Sequence, residues 1–224
     1  MTILHKRLFI YISRNEEEVP QLSRYAVQKG ISVTAVSQIC FEAVENHPKS
    51  KTEVIFFSSI RAAEFFLKNE QIVAEAKVAT IGISTAKRLS ALGLQSDFIG
   101  DKAGNPDQVA NDFRSWLKDR KVLIPCSDLS NRSIAAVLPE KQVEELIVYR
   151  TISACQNVGE QDVYVFTSPS NFHAFNECNT IPSNAKVIAW GKTTENALIK
   201  AGIRPAYTLE SSTEEELIAV LSTI

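Results

Sequence analysis

The sequence predicts an α/β protein of two similar domains with parallel sheets, one domain inserted in the other. Three observations lead there. Short apolar, β-branched runs alternate with helix-sized segments along the chain, the pattern of parallel strands covered on both faces. The pattern occurs twice: Val54 falls opposite Val163, Gly82 opposite Gly191 and Gly93 opposite Gly202, a constant offset of 109 without a gap. The second copy lacks its opening strands, and the N-terminal segment holds a strand–helix–strand unit that would supply them.

The elements follow in order. Leu8 to Ile12 reads as a strand, Glu17 to Lys29 as a helix stopped by Gly30, and Ile31 to Ala35 as a second strand. In the first copy Val54 to Phe57 is a buried strand. Ser58 or Ser59 then caps a helix carrying Ala62, Phe65 and Phe66, because a serine oxygen accepts an orphan N–H of the first turn. Val78 to Ile81 is the next strand and Gly82 ends it. Ser84-Thr85 caps a helix that stops at Gly93. A short strand near Asp97 to Ile99 and a helix from about Pro106 come next. Val122 to Pro125 is a strand, Ser130 or Asn131 caps a helix toward Val137, and Val143 to Tyr149 is a strand.

The second copy repeats the scheme. Val163 to Phe166 is its strand, and Thr167-Ser168-Pro169 opens a helix carrying Phe172 and Phe175, with Pro169 suited to the first helical position. Val187 to Trp190, the Thr193-Thr194 cap, the Gly202 stop, a strand near Ala206 to Thr208 and a helix from Thr213 complete it. Residues 1–36 with 155–224 are then expected to form one domain and 41–149 the other, with linkers near 36–41 and 149–155.

Composition narrows the function. A formal charge of -2 supplies no field that would draw nucleic acid or an anionic membrane. No segment approaches the roughly 20 apolar residues that span a bilayer, and the N-terminus lacks a signal peptide's apolar core. A cytoplasmic protein with no membrane partner is expected, and a monomer, since nothing calls for obligate assembly. Cys40, Cys126, Cys155 and Cys178 form no CxxC pair and the three histidines are scattered. No metal site is therefore expected, and the cysteines read as free thiols in a reducing compartment.

Strand-to-helix turns carry the candidate chemistry. Ser58-Ser59, Ser84-Thr85, Thr167-Ser168-Pro169-Ser170 and Thr193-Thr194 each offer a hydroxyl, unpaired backbone N–H groups and the positive end of a helix dipole. Taken singly, each is an ordinary helix cap. Four such turns at the carboxyl ends of parallel strands suggest a cleft for a ligand with many anionic groups. No GxGxxG, P-loop or GxSxG pattern is present. His173 reads as a solvated or helix-packed side chain and Arg150 as a solvated charge or a carboxylate partner. Tyr149 stands where the chain leaves one domain for the other. Its phenol could donate a hydrogen bond or a proton, or its ring could simply pack between domains; the residues alone leave these even.

With these residues in place, the chain resembles the uroporphyrinogen-III synthase family. The resemblance rests on Phe57-Ser58-Ser59-Ile60-Arg61-Ala62-Ala63, Ile81-Gly82-Ile83-Ser84-Thr85-Ala86, Val148-Tyr149-Arg150-Thr151, Phe166-Thr167-Ser168-Pro169-Ser170 and Gly191-Lys192-Thr193-Thr194, in order and spacing over nearly the whole chain. It implies two flavodoxin-like parallel-sheet domains joined by a two-stranded linker. It further implies a linear tetrapyrrole substrate, hydroxymethylbilane, with eight carboxylates, and no cofactor. The reaction would lose the terminal hydroxyl as water and close the ring with the last pyrrole inverted. By the same resemblance Tyr149 matches the family's interdomain tyrosine, and it is expected to assist departure of the hydroxyl as hydrogen-bond or proton donor. Thr85 and Thr194 match cleft threonines, and Ser168 and Ser170 match the substrate-facing turn; the notable departures are Ser58 for a threonine, Arg61 for an asparagine, and Pro125-Cys126-Ser127-Asp128 for a turn bearing arginine and glycine. Competing readings are a non-catalytic two-lobed module that closes on a small anion, and a two-lobed glycosyltransferase, for which no nucleotide-sugar signature is present.

Overall fold

The computed structural model describes residues 7–48, 51–69, 75–101 and 106–224. In chain order the elements are β1 (Phe9–Ile12), α1 (Pro20–Lys29), β2 (Ser32–Ala35), β3 (Ile39–Ala43), β4 (Val54–Phe57), α2 (Ile60–Asn69), β5 (Lys77–Thr80), α3 (Ile83–Ala91) and β6 (Phe98–Ile99). They continue as α4 (Pro106–Leu117), β7 (Val122–Ser127), β8 (Val143–Ser153), β9 (Val163–Phe166), α5 (Pro169–Phe175), β10 (Lys186–Ala189), α6 (Lys192–Lys200), β11 (Tyr207–Thr208) and α7 (Glu214–Leu221). They form two compact units, one from residues up to Cys40 together with Ile152–Ile224, the other Phe41–Thr151.

The discontinuous unit holds a sheet ordered β11-β10-β9-β1-β2, every pair parallel. Alternate side chains of each strand go to opposite faces, so one strand feeds two cores. Val163 and Val165 of β9 join Ile10, Ile12 and Ile188 against Leu22 of α1 and Leu217 and Leu221 of α7. Tyr164 and Phe166 join Tyr11 and Ala189 against Phe172 and Phe175 of α5 and Leu198 of α6. The continuous unit repeats this with a sheet ordered β3-β8-β7-β4-β5-β6. Phe56 packs with Phe113 of α4 on one face, and Phe57 with Phe66 of α2 and Leu89 of α3 on the other.

The duplication persists at the level of hydrogen-bond register. Val54 pairs with Lys77 as Val163 pairs with Lys186, and Ala79 with Phe98 as Ile188 with Tyr207. The order of the strands refines one expectation. Beside β9 the N-terminal β1 and β2 fill the places that β7 and β8 fill beside β4. In the continuous unit those strands come last in the chain, so the N-terminus supplies closing strands of the second copy, not opening ones.

Several element boundaries differ from the sequence reading for local reasons. The helix expected from Glu17 is a 3-10 turn over Glu16–Glu18, and α1 begins at Pro20, whose fixed φ and missing N–H suit a first helical position. Gly30 ends α1 at φ 67, a left-handed conformation that glycine adopts without steric cost. The helix expected toward Val137 is only a 3-10 turn, Ala135–Val137, with Arg132 at positive φ before it and Pro139 just after. β8 does not stop at Tyr149 but runs on to Ser153, with a bulge at Cys126/Ser127 opposite. Gly100 has a packing reason: a Cβ there would lie 2.4 Å from the Ile81 carbonyl oxygen.

The cysteine expectation is overturned. Cys155 and Cys178 are joined in a disulfide, while Cys40 (exposed) and Cys126 (buried) are free. The two cysteines are 23 residues apart with no spacing motif, but β8 and α5 bring their Cα atoms within 6.1 Å, inside the span a disulfide bridges. Among the described residues no helix is long and apolar enough to cross a membrane.

Candidate active site

Each sheet ends in strand-to-helix turns at its carboxyl edge, and the turns differ in what already occupies their amides. Two other helices of the discontinuous unit are capped by the protein's own side chains, α1 by a carboxylate and α7 by a hydroxyl. Glu214 at the start of α7 accepts from the Gln21 and Leu22 amides of α1, at 2.9 and 2.8 Å. Thr213 caps α7 itself through the Glu216 amide. At these helix starts the protein itself takes up first-turn amides.

α3 and α6 are the opposite case. Their N-cap residues are Gly82 and Gly191, both with fully extended backbone, and neither supplies a side-chain cap. The expected caps are therefore corrected: Ser84-Thr85 and Thr193-Thr194 lie inside the first turn, at its second and third positions, because the helix begins one residue after the glycine. Ser84 and Thr193 are exposed, while Thr85 and Thr194 are buried. A helix start without a side-chain cap leaves first-turn N–H groups and the positive dipole end for an outside acceptor. The duplication has kept this arrangement in both units.

The other two turns are capped from within. Ser59 begins α2, its Oγ accepting from the Ala62 amide at 3.1 Å; Ser58, before it, is half-buried. Ser168 begins α5, its Oγ accepting from both the amide and the Nδ2 of Asn171 at 3.2 Å. Thr167 is committed as well. Its amide donates to Ser13 Oγ at 2.8 Å and its hydroxyl to the Ser13 carbonyl at 2.8 Å, tying the end of β9 to the end of β1. Among the described residues Ser170, Ser84 and Thr193 make no side-chain hydrogen bond, which leaves their hydroxyls available.

Tyr149 sits in the core of the continuous unit, 8% exposed. Its ring stacks on Phe65 of α2 at 5.0 Å and meets Phe41 edge-on at 5.7 Å, and the Arg61 guanidinium lies 3.7 Å over the Phe41 ring. Aromatic pairs of this kind contribute about 0.5–1.5 kcal/mol each beyond area burial, enough to hold the phenol in one orientation. The departure at Arg61 thus has a place, as the lid of an aromatic stack that includes the tyrosine.

Arg14 belongs to no motif of the sequence. It lies two residues past β1, with its guanidinium 4.4 Å over the ring of Trp190, the residue just before the Gly191 turn. It makes no ion pair among the described residues. A planar cation held on an aromatic face is preorganised for a carboxylate. The repeat located Trp190 and Gly191, but only the β1–β9–β10 order brings Arg14 to them. Cys126, at the turn after Ile124, is a free and buried thiol. Burial first, then the Glu145 carboxylate, push its thiol up to about 11, with Arg132 opposing. No group of three or more metal-ligating side chains occurs among the described residues.

The family model described as Uroporphyrinogen-III synthase HemD matches residues 20–219. The chain belongs to the uroporphyrinogen-III synthase family. That membership assigns it the family's reaction, a lyase step of tetrapyrrole biosynthesis in which hydroxymethylbilane loses water and closes into uroporphyrinogen III. Among solved structures, the uroporphyrinogen-III synthetase from Helicobacter pylori superposes with a TM-score of 0.72 at 18% identity, covering 98% of this chain and 100% of that one. A mutant uroporphyrinogen III synthase from Thermus thermophilus gives 0.62 at 15% identity, covering 96% and 98%. At such identity the likeness shows a shared fold. No curated protein matches the chain in sequence.

Proposed function

We propose that this synthase holds its polycarboxylate substrate mainly through backbone amides at the α3 and α6 turns, with Arg14 as a side-chain partner and Tyr149 assisting loss of the hydroxyl. The observation that carries this reading is the contrast between helix starts: Glu214 fills α1, whereas Gly82 and Gly191 leave α3 and α6 without a side-chain cap. Ser84 and Thr193 add hydroxyls at the same turns, and Ser170 adds one beside the Thr167-Ser168 turn. Ser58 and Ser59 contribute the corresponding turn of the other sheet. Buried Thr85 and Thr194 support the first turns of α3 and α6.

The chemistry asks for orientation more than for strong acid or base. Protonation of the departing hydroxyl releases water, and loss of the pyrrole N–H proton leaves the neutral azafulvene. Attack by the substituted carbon of the terminal pyrrole gives a spiro intermediate, whose fragmentation and recombination invert that ring. A difference of about 1.4 kcal/mol between competing closures is tenfold in product ratio. Several fixed amide contacts can supply a multiple of that. Tyr149 is suited to donate toward the departing oxygen because its ring is held by Phe65 and Phe41. No cofactor enters the scheme, and the protein acts as a monomer. The cytoplasm is the proposed setting. There the Cys155–Cys178 pair meets a reducing pool, so its state reports the compartment.

The test is isomer analysis of product made from hydroxymethylbilane. Isomer III above the protein-free background is expected, and Tyr149→Phe should lower kcat about tenfold or more while the fold is retained. Isomer I alone, formed at the protein-free rate, would leave an anion-binding module without catalysis. Unchanged turnover in a folded Tyr149→Phe variant would reduce the tyrosine to packing.

A further inference from the structure

Two polar side chains, Gln38 and Asn171, are buried against the cap of the Thr167–Ser170 turn. Gln38 is 0% exposed and Asn171 6%. Gln38 stands between β2 and β3, where the chain is about to leave the discontinuous unit after Cys40. Its amide donates to Asn171 Oδ1 at 2.7 Å. Its carbonyl accepts from the Ala154 amide at 2.8 Å, and its Oε1 from the Gln156 amide at 2.7 Å. One buried residue therefore grips both the outgoing segment and the segment that returns at Ile152.

Asn171 carries the connection into the helix. While Oδ1 receives the Gln38 amide, with the Ser37 hydroxyl at 3.3 Å, Nδ2 donates to Ser168 Oγ, the cap of α5. The returning segment is also fixed to the other end of α5. Cys155 is bonded to Cys178, Ser153 Oγ donates to Glu177 Oε2 at 2.5 Å, and Asn179 Nδ2 donates to the Gln156 carbonyl at 2.9 Å. Helix α5 is thus tied at its start to the outgoing segment and at its end to the returning one.

Burying a primary amide with these partners has no packing advantage over an apolar residue of similar shape. What it supplies is direction: each bond fixes the cap of α5 relative to the connecting segments. We propose that Asn171 is a positioning residue of the synthase reaction, acting with Gln38 to set the Ser168–Ser170 turn against the chain segments that join the two units. The proposal rests on the reading that this turn meets the substrate. A turn set loosely still binds a substrate held elsewhere by its other carboxylates, but it no longer disfavours the unrearranged closure. The loss is therefore expected in kcat and in isomer ratio, not in KM.

The experiment compares the full-length protein with Asn171→Ala and with Gln38→Leu, which keeps the side-chain volume and removes the Oε1 acceptor. Thermal melts establish that each is folded. Steady-state kinetics should show kcat down about tenfold, equivalent to about 1.4 kcal/mol, with KM within about threefold, and a larger share of isomer I. If Asn171→Ala does not fold, Gln38→Leu carries the test with the same expected signature. Parent-like kcat and isomer ratio in a folded variant would overturn the proposal. An equal loss through KM alone would also overturn it, since that describes lost binding. A parent protein that makes no isomer III would instead overturn the reading on which it rests.

Discussion

Arg14 is held on Trp190 by geometry that leaves its charge unspent, since no acid among the described residues pairs with it. If it receives a substrate carboxylate, Arg14→Met, which keeps much of the side-chain stem, should raise KM about tenfold or more, the scale of a charge-assisted hydrogen bond. Steady-state kinetics at two ionic strengths would check this, and a parent-like KM would remove Arg14 from the site. At this scale the sequence was only partly legible. Ser59 and Ser168 could be placed because capping is a local matter, whereas the caps of α3 and α6 are Gly82 and Gly191 and not the Ser84-Thr85 and Thr193-Thr194 pairs that the sequence offers. Arg14, Gln38 and Asn171 could not be placed, because Arg14 meets Trp190 and Gln38 meets Asn171 across 176 (190 − 14) and 133 residues of chain, along paths that only the sheet order reveals. Tyr149 was found by its sequence neighbourhood, but its burial against Phe65 was not.

The elements were largely readable where period and punctuation coincide. β4 and β9 are four-residue apolar runs, β5 and β10 are buried segments opened by a lysine, and all four lie within a residue of their expected limits. Misreadings came where long-range pairing extends or shortens an element. β8 continues past Tyr149, and the stretch before Pro139 is too short for an α-helix. The disulfide belongs to this scale, because it joins the end of one strand segment to the end of α5. Closing a 23-residue separation is expected to stabilise the fold by about 3 kcal/mol in the chain-entropy account. Chemical denaturation with and without reductant should show that difference, and Cys178→Ser should be insensitive to reductant. Alkylation before reduction should label Cys40 and spare Cys155 and Cys178.

At the scale of the whole molecule, each unit has aromatic and aliphatic cores on both faces of its own sheet. The continuous unit takes all of its strands from one stretch of chain, so an excised 39–153 fragment, which keeps β3 and β8 whole, should melt cooperatively by circular dichroism. A non-cooperative transition would show that it depends on the rest of the protein. The α/β class with parallel sheets was legible because the repeat tests itself: one offset aligns strands, glycines and caps together. How the N-terminal strands enter the sheet was not, since period and propensity say nothing of strand order.

The split sheet also sets the order of events during synthesis. Phe9 donates to Asp162, 153 residues on, and β1 has no neighbour but β2 until β9 has been made. At ribosomal speeds of about 5–20 residues per second, the first two strands wait many seconds as an exposed apolar hairpin-less pair. The continuous unit can mature in that interval. Nascent chains stalled before β9 should therefore be chaperone clients through their first 40 residues, a vulnerability that the tandem arrangement of the same two copies would not have.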